Sequence, residues 1–225
     1  MAAEQLADLA ALLADRTRAR FCLALLDGRA WTSTELARAA RVSPSTASEH
    51  LTRLVAGGLL AEHRQGRHRY LRLAGPREAE LVEHLLGYVG PAAPERTLRA
   101  TTASAALARG RTCYDHLAGR LGVAITDAMT ARGLLEPDAL AVTDRGRAWL
   151  TGTLHADFST TRRPLARACL DWTERRPHLA GAAGAHVCAH FRARGWLRGV
   201  GTGRAVALTP AGVGALDDLL GIPAP

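Results

Sequence analysis

The sequence predicts a mostly helical protein with small β-wings, an α+β fold, and three observations lead to this class. Apolar residues recur at helical spacing through most of residues 1–89. Two short alternating segments flank a glycine there, as in a β-hairpin. Beyond a stretch rich in Pro, Ala and Thr, one pattern occurs twice. At 225 residues the chain is long enough for two domains with their own cores.

The first 26 residues predict two helices. Residues 4–14 carry four leucines on one face, and residues 17–26 follow Asp15, a residue type that caps helix N-termini. The first helix is too short to be stable alone, so its leucine face must pack on another surface. Cys22 falls on the inner face of the second helix, and we interpret it as a small core residue.

Residues 33–56 predict two further helices joined by a tight turn. Thr34 opens the first of them. Ser43 is a good N-cap for the second, and Pro44 stands at its first position, where the missing N–H removes no hydrogen bond. Apolar residues then repeat every helical turn until Gly57 ends the helix.

A hairpin follows, with strands at 59–64 and 68–73, so the unit is a helix-turn-helix with a β-wing. Short polar side chains on its second helix suit base edges in a major groove, and arginines in the wing suit phosphates. A winged helix used only for protein–protein contacts is the alternative. The candidate DNA-binding residues are Ser43, Ser45, Thr46, Ser48, Glu49, His50, Arg53, Arg64, Arg67 and Arg69.

This region resembles the winged-helix domain of ArsR/SmtB-type transcriptional regulators over residues 6–88, in the run LADRTRARFCLALLDGRAWTSTELARAARVSPSTASEHLTRLVAGGLLAEHRQGRHRYLRL. The resemblance implies a homodimeric regulator, more often a repressor, that binds double-stranded DNA at an inverted-repeat operator. It does not imply metal sensing at the usual family positions. The cysteine pair of the first motif helix is missing from ELARAA, and the last helix offers only Glu80 and His84 beside Glu83.

Bulk charge does not by itself indicate a nucleic-acid partner. The net charge is +8, yet residues 1–88 hold 12 Arg against 10 acidic residues and the remainder holds 17 against 11. The DNA prediction therefore depends on the motif and on the wing arginines. All 29 basic residues are arginine, which we interpret as codon bias in a GC-rich genome.

Several classes of protein are not expected. No run of about 18 apolar residues indicates a membrane span, and no signal-peptide pattern begins the chain. The four cysteines form no CxxC pair or disulfide framework, so we expect a cytoplasmic protein with reduced thiols. Walker, HExxH, GxSxG and GxGxxG motifs are missing, and we expect no enzyme.

The chain is predicted to divide into three parts. Residues 1–89 form the DNA-binding and dimerisation domain, and residues 90–104 form a linker rich in Pro, Ala and Thr. Residues 105–225 form a second domain, which we expect to sense an effector.

The second domain is predicted to hold two degenerate winged-helix-like repeats. HLAG at 116–119 recurs at 178–181, 62 residues later, and AVTDRG at 141–146 is answered by ALTPAG at 207–212. Each half is predicted as helix, short helix, helix ending in glycine, strand, turn, strand and helix. Neither half has a capped polar recognition helix, which favours a duplicated effector domain. A tandem DNA-binding arrangement is the alternative.

The candidate effector residues lie in CYDHLAG and CLDWTERRPHLAG. These segments resemble the long C-terminal regions of some ArsR-like regulators, a resemblance that implies no defined ligand. Each half holds a Cys, an Asp and a His within ten residues, and pseudo-symmetric packing would bring the two sets together. The candidates are Cys113, Tyr114, His116, Cys169, Asp171, Trp172 and His178.

Four interpretations of these residues stay open. Two Cys and two His suit Zn²⁺ or another soft metal ion, although their spacing matches no standard finger. Cys113 and Cys169 suit a redox switch, and Tyr114 and Trp172 with arginines suit an organic effector. The side chains also suit a plain interface between repeats. A separate HVCAH segment at 186–190 is interpreted as an exposed helix face with its cysteine turned elsewhere.

Overall fold

The structure, a computed structural model, divides into two compact units, Met1–Val82 and Glu83–Pro225. Both are mostly helical with small antiparallel sheets, as the sequence predicts. Among the residues described, no helix combines the length and the apolar character that a membrane crossing needs. The described residues are 1–66, 68–89, 98–201 and 203–223.

The first unit follows the predicted order of helices and strands. Its sheet has the order β1-β3-β2 with antiparallel pairing, and the wing closes at the pair Gln65–His68. Strand β1 was not predicted because two residues carry too little periodicity to be recognised. The elements are α1 (Ala2–Leu13), α2 (Arg16–Leu25), β1 (Trp31–Thr32), α3 (Ser33–Ala40), α4 (Pro44–Ala56), β2 (Leu60–Gln65), β3 (His68–Leu73) and α5 (Pro76–Val89), which continues into the second unit.

Local capping sets the helix-turn-helix. Helix α3 begins at Ser33, one residue before the predicted start, because Thr32 forms a capping box with Glu35. The turn passes through Arg41 in the left-handed conformation, with φ of 59°. Ser43 then caps α4, as predicted, and Pro44 occupies the first helical position. The predicted second helix is confirmed.

The apolar face of α4 packs into the core of the first unit. Phe21 and Leu25 of α2, Leu36 of α3, and Leu51 and Leu54 of α4 are fully buried. Burying a side chain of this size stabilises a fold by about 1.5–3 kcal/mol. The opposite face of α4 is therefore free to point outward in a fixed orientation.

In its described residues, the second unit is built from helices and three β-hairpins, β4–β5, β6–β7 and β8–β9. Leu135 and Val142, which follow α7, form an isolated antiparallel bridge, whereas the segments that follow α9 pair as the hairpin β8–β9. The elements are α6 (Leu98–Arg109), β4 (Arg111–Cys113), β5 (His116–Ala118), α7 (Gly119–Ala131), α8 (Asp144–Gly152), β6 (Arg167–Leu170), β7 (Pro177–Ala180), α9 (Gly181–Ala193), β8 (Leu197–Gly199), β9 (Val206–Leu208) and α10 (Pro210–Leu220).

The HLAG segments are strands, so the short helix that was predicted directly before the glycine-ended helix of each half was wrong. His-Leu-Ala pairs with the strand before it in both halves. Gly119 and Gly181 then adopt φ of 73° and 81°, which glycine takes without strain and which separates each strand from its helix. The segments are three or four residues long, so their strand character comes from pairing across a turn and not from local propensity.

Part of the predicted linker is helical. Helix α6 begins at Leu98, inside the stretch 90–104, because residues 98–109 are rich in the helix formers Ala, Leu and Arg. Residues 90–97 lie outside the described residues.

The core of the second unit is formed around the apolar faces of α7 and α9. Ile125 and Met129 of α7 and Val187 and Phe191 of α9 are all buried, which confirms the predicted faces of both helices. Around them pack buried leucines from α8, α10 and the connecting loops. This core positions the two hairpins that precede α7 and α9.

Candidate nucleic-acid interface and candidate metal centre

Hydroxyl groups cluster at the N-terminus of α4. Ser43 Oγ lies 2.9 Å from Ser45 Oγ and 2.8 Å from Thr46 Oγ1, and it accepts a hydrogen bond from the Thr46 backbone N–H. Ser43 and Thr46 are thus engaged in the cap, while Ser45 is exposed.

A polar row follows along the exposed face of α4. Ser45, Glu49 and Arg53 are four positions apart and therefore neighbours on the helix, with Ser48 beside them. All four side chains are exposed. Hydroxyl, carboxylate and guanidinium groups are those that hydrogen-bond with base edges in the major groove.

His50 is turned toward the protein. Its Nδ1 lies 3.2 Å from Arg18 Nη1 and 3.7 Å from Asp15 Oδ1, and its side chain is 19% exposed. Arg18 in turn donates to backbone carbonyls near the end of α1. His50 thus links α4 to the neighbouring helices, and a DNA contact by this residue stays a prediction.

Glu62 occupies the middle of the wing arginines, and the sequence analysis missed it. Its carboxylate accepts hydrogen bonds from Arg64 Nε at 2.8 Å and Arg69 Nε at 2.7 Å. The bond from Arg64, together with Arg69, lowers the pKa of Glu62 although burial opposes the shift. Arg64 stays 77% exposed whereas Arg69 is 18% exposed. Arg67 lies outside the described residues.

The strand period contained the signal for Glu62. Residues two apart on a strand share a face, so Glu62 and Arg64 of β2 had to be neighbours. Arg69 faces Arg64 across the hairpin. The wing charge is therefore partly neutralised within the protein.

Two cysteines and two histidines meet inside the second unit. One potential ligand atom from each of Cys113, His116, Cys169 and His178 lies within 4.8 Å of the others. The two Sγ atoms are 3.8 Å apart and the two Nε2 atoms are 3.1 Å apart. No member of this tetrad is more than 3% exposed. Two sulfur and two nitrogen donors in a closed site could hold a metal ion.

Strand pairing brings the tetrad together. Cys113 lies opposite His116 across β4–β5, and Cys169 lies opposite His178 across β6–β7. Residues directly opposite on antiparallel strands project to the same face, so each hairpin presents a Cys and a His side by side. A glycine makes room between the halves, because a Cβ on Gly184 of α9 would lie 3.3 Å from His116 Cβ.

A carboxylate stands behind each histidine. Asp115 Oδ1 lies 3.2 Å from His116 Nδ1, and Asp171 Oδ2 lies 3.4 Å from His178 Nδ1. Carboxylates in this position orient metal-binding histidines and favour the tautomer that leaves Nε2 free to bind.

An arginine pairs with each of these carboxylates. Arg163 Nη1 lies 2.6 Å from Asp115 Oδ2, and Arg111 Nη2 lies 3.0 Å from Asp171 Oδ2. Arg111 is fully buried, with its guanidinium carbon 4.7 Å from the ring centroid of Trp172. The sequence analysis did not single out either arginine. The pattern Arg-x-Cys occurs at 111–113 and at 167–169, and it could have indicated that the two segments form similar hairpins. The two arginines differ in their surroundings, because Arg167 is exposed and Arg111 is buried.

The surroundings shift the pKa values of the two cysteines in opposite directions. A hydrogen bond from the Cys113 thiol lowers the pKa of Cys169, and both histidines add to this effect. The same bond and burial raise the pKa of Cys113. Burial alone would lower the pKa of His116, but hydrogen bonds with Asp115 and Cys169 raise it to about 9. The interior therefore stabilises a thiolate beside an imidazolium.

The aromatic candidates lie around the tetrad rather than in a separate cavity. Tyr114 is half-buried in the β4–β5 turn, with φ of 59°, and Trp172 packs on Arg111. A cavity of about 580 Å³ lies elsewhere in this unit, between apolar side chains such as Leu121 and Leu216, with Arg109, Arg120 and Arg198 among its lining residues. None of the predicted effector residues lines it.

Other histidine and acidic candidates lie outside the tetrad. The rings of His186 and His190 share one face of α9 with centroids 6.0 Å apart, and Cys188 is buried on another side, as predicted. The prediction that this face is exposed was wrong, because both histidines are half-buried and His186 Nε2 lies 2.9 Å from the carbonyl oxygen of Leu154. Glu83 on α5 is buried and forms an ion pair with Arg204.

Known proteins resemble this chain at two scales. A family model described as a helix-turn-helix domain matches residues 13–63. An uncharacterized HTH-type transcriptional regulator, YdfF from Bacillus subtilis (strain 168), is 35% identical over 221 residues, covering 96% of this chain and 97% of that protein.

Solved structures resemble a part of this chain. The homodimeric winged helix-turn-helix DNA-binding domain of Mb0332 from Mycobacterium bovis is 32% identical, with a TM-score of 0.34 over 38% of this chain and 78% of that one. The transcriptional repressor PagR of Bacillus anthracis is 26% identical, with a TM-score of 0.34 over 38% of this chain and 97% of that one.

Proposed function

Because the chain belongs to the HTH-type transcriptional regulators with an ArsR-type winged helix-turn-helix domain, we propose that it acts as a homodimeric repressor whose second unit senses an effector. It is a DNA-binding regulator and not an enzyme. The observation that supports the DNA-reading role best is the capped helix α4, which presents a row of polar side chains on a face fixed by the core behind it. We place its action on DNA in the cytoplasm.

In this proposal α4 enters the major groove and the wing contacts the backbone. Ser45, Ser48, Glu49 and Arg53 contact base edges, while Arg64 with its neighbours contacts phosphates. Base contacts discriminate between sequences, whereas phosphate contacts add affinity for any duplex. The two sets therefore predict different consequences of mutation.

Unburied apolar side chains support the dimer. No residue of α1 is fully buried, and Leu6 on its leucine face is 68% exposed. Helix α5 carries Tyr88 and Val89, which are 92% and 78% exposed. A two-fold dimer that covers such faces would set two recognition helices about one DNA turn apart, which predicts an inverted-repeat operator. A dimer that covers its operator represses by excluding other proteins.

We also propose that the second unit is a duplication that holds the effector site. Gly119 and Gly181 both open a helix with positive φ. Gly146 of α8 and Gly212 of α10 both lie so close to a backbone carbonyl outside their helix that a Cβ would clash with its oxygen. Equivalent glycines under equivalent constraints are expected of repeated units. An effector changes operator affinity only if it binds the free and DNA-bound states unequally.

Arg53→Ala tests the reading helix. We expect it to weaken binding to the operator by about 1–3 kcal/mol and binding to an unrelated duplex much less, because a base contact is lost. Fluorescence anisotropy at fixed salt, with an operator selected from genomic fragments, measures both affinities. Arg77→Ala on α5 removes the same charge and should leave the ratio unchanged. Equal losses on both duplexes would reduce Arg53 to a phosphate contact, and failure to select any operator would favour a protein-interaction module.

Arg64→Ala tests the wing. We expect weaker binding to every duplex and a slope of log Kobs against log salt that is smaller by about 0.9, since one phosphate contact releases its counterions. Glu62→Gln is the matched variant with the opposite charge change, and it should steepen the slope. An unchanged slope in Arg64→Ala would remove this arginine from the interface.

A further inference from the structure

We propose that Cys113, His116, Cys169 and His178 form a closed tetrahedral site for a divalent ion of the Zn²⁺ class. The site stands on its own geometry, and only its use as the effector site rests on the function proposed above. It lies inside the second unit and joins the two halves of that unit.

The separations between like donor atoms are those of a tetrahedron around one ion. Zn–S bonds of about 2.3 Å and Zn–N bonds of about 2.0–2.1 Å place two sulfurs about 3.8 Å and two nitrogens about 3.3 Å apart. The observed separations are 3.8 Å between the Sγ atoms and 3.1 Å between the Nε2 atoms. The sulfur–sulfur and nitrogen–nitrogen separations therefore match those of a tetrahedral site, and all four donor atoms lie within 4.8 Å of one another.

The two histidines bring their Nε2 atoms to within 3.1 Å of each other. Asp115 and Asp171 lie beside Nδ1 of His116 and His178 at 3.2 and 3.4 Å. An imidazole that keeps its proton on Nδ1 presents a lone pair at Nε2. Two such lone pairs 3.1 Å apart repel each other unless a proton or a cation lies between them. A metal ion satisfies both at once.

The donor set and its burial select the ion. Thiolate and imidazole ligands favour Zn²⁺ and its substitutes over Mg²⁺ or Ca²⁺, which prefer oxygen. Four protein ligands leave no open position for substrate, so the site is structural or regulatory rather than catalytic. Two thiolates offset the charge of a divalent ion, and the arginines behind the site are already paired with Asp115 and Asp171.

Each ligand pair comes from a different hairpin. Cys113 and Cys169 are separated by 56 residues, and His116 and His178 by 62. A bound ion would therefore cross-link β4–β5 to β6–β7, and its binding energy would stabilise this packing. A disulfide would join the same hairpins, but it needs the sulfurs to close from 3.8 Å to about 2.05 Å and gives the histidines no role.

Metal analysis of the full-length protein, purified with a reductant, tests the site. We expect one zinc per chain by inductively coupled plasma mass spectrometry. After removal of zinc, Co²⁺ titration should give the visible bands of a tetrahedral ion and a thiolate-to-cobalt charge-transfer band. Zinc should then bleach both stoichiometrically.

Three variants locate the ligands. Cys169→Ser should weaken Co²⁺ affinity by more than about 100-fold, and Asp115→Asn, a positioning change, by about 10–100-fold. Cys188→Ser alters another buried cysteine and should change nothing. Wild-type protein that gives no thiolate–cobalt band would overturn the proposal, as would equal losses in Cys169→Ser and Cys188→Ser. So would a Cys113–Cys169 disulfide that persists with reductant while no metal binds.

Measurements of operator binding distinguish the existence of the metal site from its proposed role as the effector site. Zinc-loaded and zinc-free wild type should differ in operator affinity if the ion is the effector. Equal affinities with intact cobalt spectra would keep the site and overturn its role as effector. Absence of operator binding in both forms would count against the proposed DNA function alone.

Discussion

Arg111→Met is expected to lower the free energy of unfolding by about 3–5 kcal/mol, because it removes one partner of a buried ion pair. Arg111 and Asp171 are both fully buried, and their charged atoms lie 3.0 Å apart. Methionine keeps most of the volume but leaves the Asp171 carboxylate without its cation. The midpoint of urea unfolding at unchanged m-value, measured in metal-free protein, gives the difference.

A second arginine–aspartate pair in the same unit provides the control. Arg176 donates two hydrogen bonds to Asp127, but the two side chains are 57% and 47% exposed. Arg176→Met should therefore cost no more than about 1 kcal/mol. The Asp171 carboxylate also accepts hydrogen bonds from three backbone N–H groups. Equal costs for the two variants would mean that these bonds alone stabilise the buried negative charge.

Gly146→Ala is expected to destabilise the second unit by about 3 kcal/mol or more, the upper range for overpacking, because there is no space for a methyl group. A Cβ at this position would lie 2.0 Å from the carbonyl oxygen of Leu134. That oxygen belongs to the backbone and accepts a hydrogen bond from the Thr143 N–H, so it cannot move aside cheaply. Thermal or urea unfolding measures the loss.

The same helix contains a matched control. A Cβ on Gly152 meets nothing within 4 Å. Gly152→Ala should therefore be neutral or stabilising by up to about 1 kcal/mol, since alanine favours a helix over glycine. If Gly146→Ala were as stable as Gly152→Ala, the close approach of α8 to Leu134 would not exist in solution.

Much of the first unit could be predicted from local sequence. Ser43 and Pro44 mark the start of α4 because capping depends on residues within one turn. The leucine stripe marks its buried face for the same local reason. Glu62 was missed because the prediction counted wing arginines without asking which neighbours share their face.

The candidate metal centre could be predicted only in part. Cysteine and histidine near each HLAG segment pointed to metal, redox, organic-effector and packing interpretations alike. The sequence also predicted helices where β5 and β7 pair with their neighbours. Strand pairing sets Cys113 opposite His116 and Cys169 opposite His178, and that arrangement cannot be derived from a helical assignment.

The amino-acid sequence alone thus determined helix α4, its cap and the wing hairpin, since each depends on residues near one another along the chain. Only the tertiary structure decided that Cys113, His116, Cys169 and His178 converge, with Asp115 and Asp171 behind them. Ligands 56 and 62 residues apart meet only when two hairpins pack in one register. Such packing is a property of the whole folded unit, and no short segment encodes it.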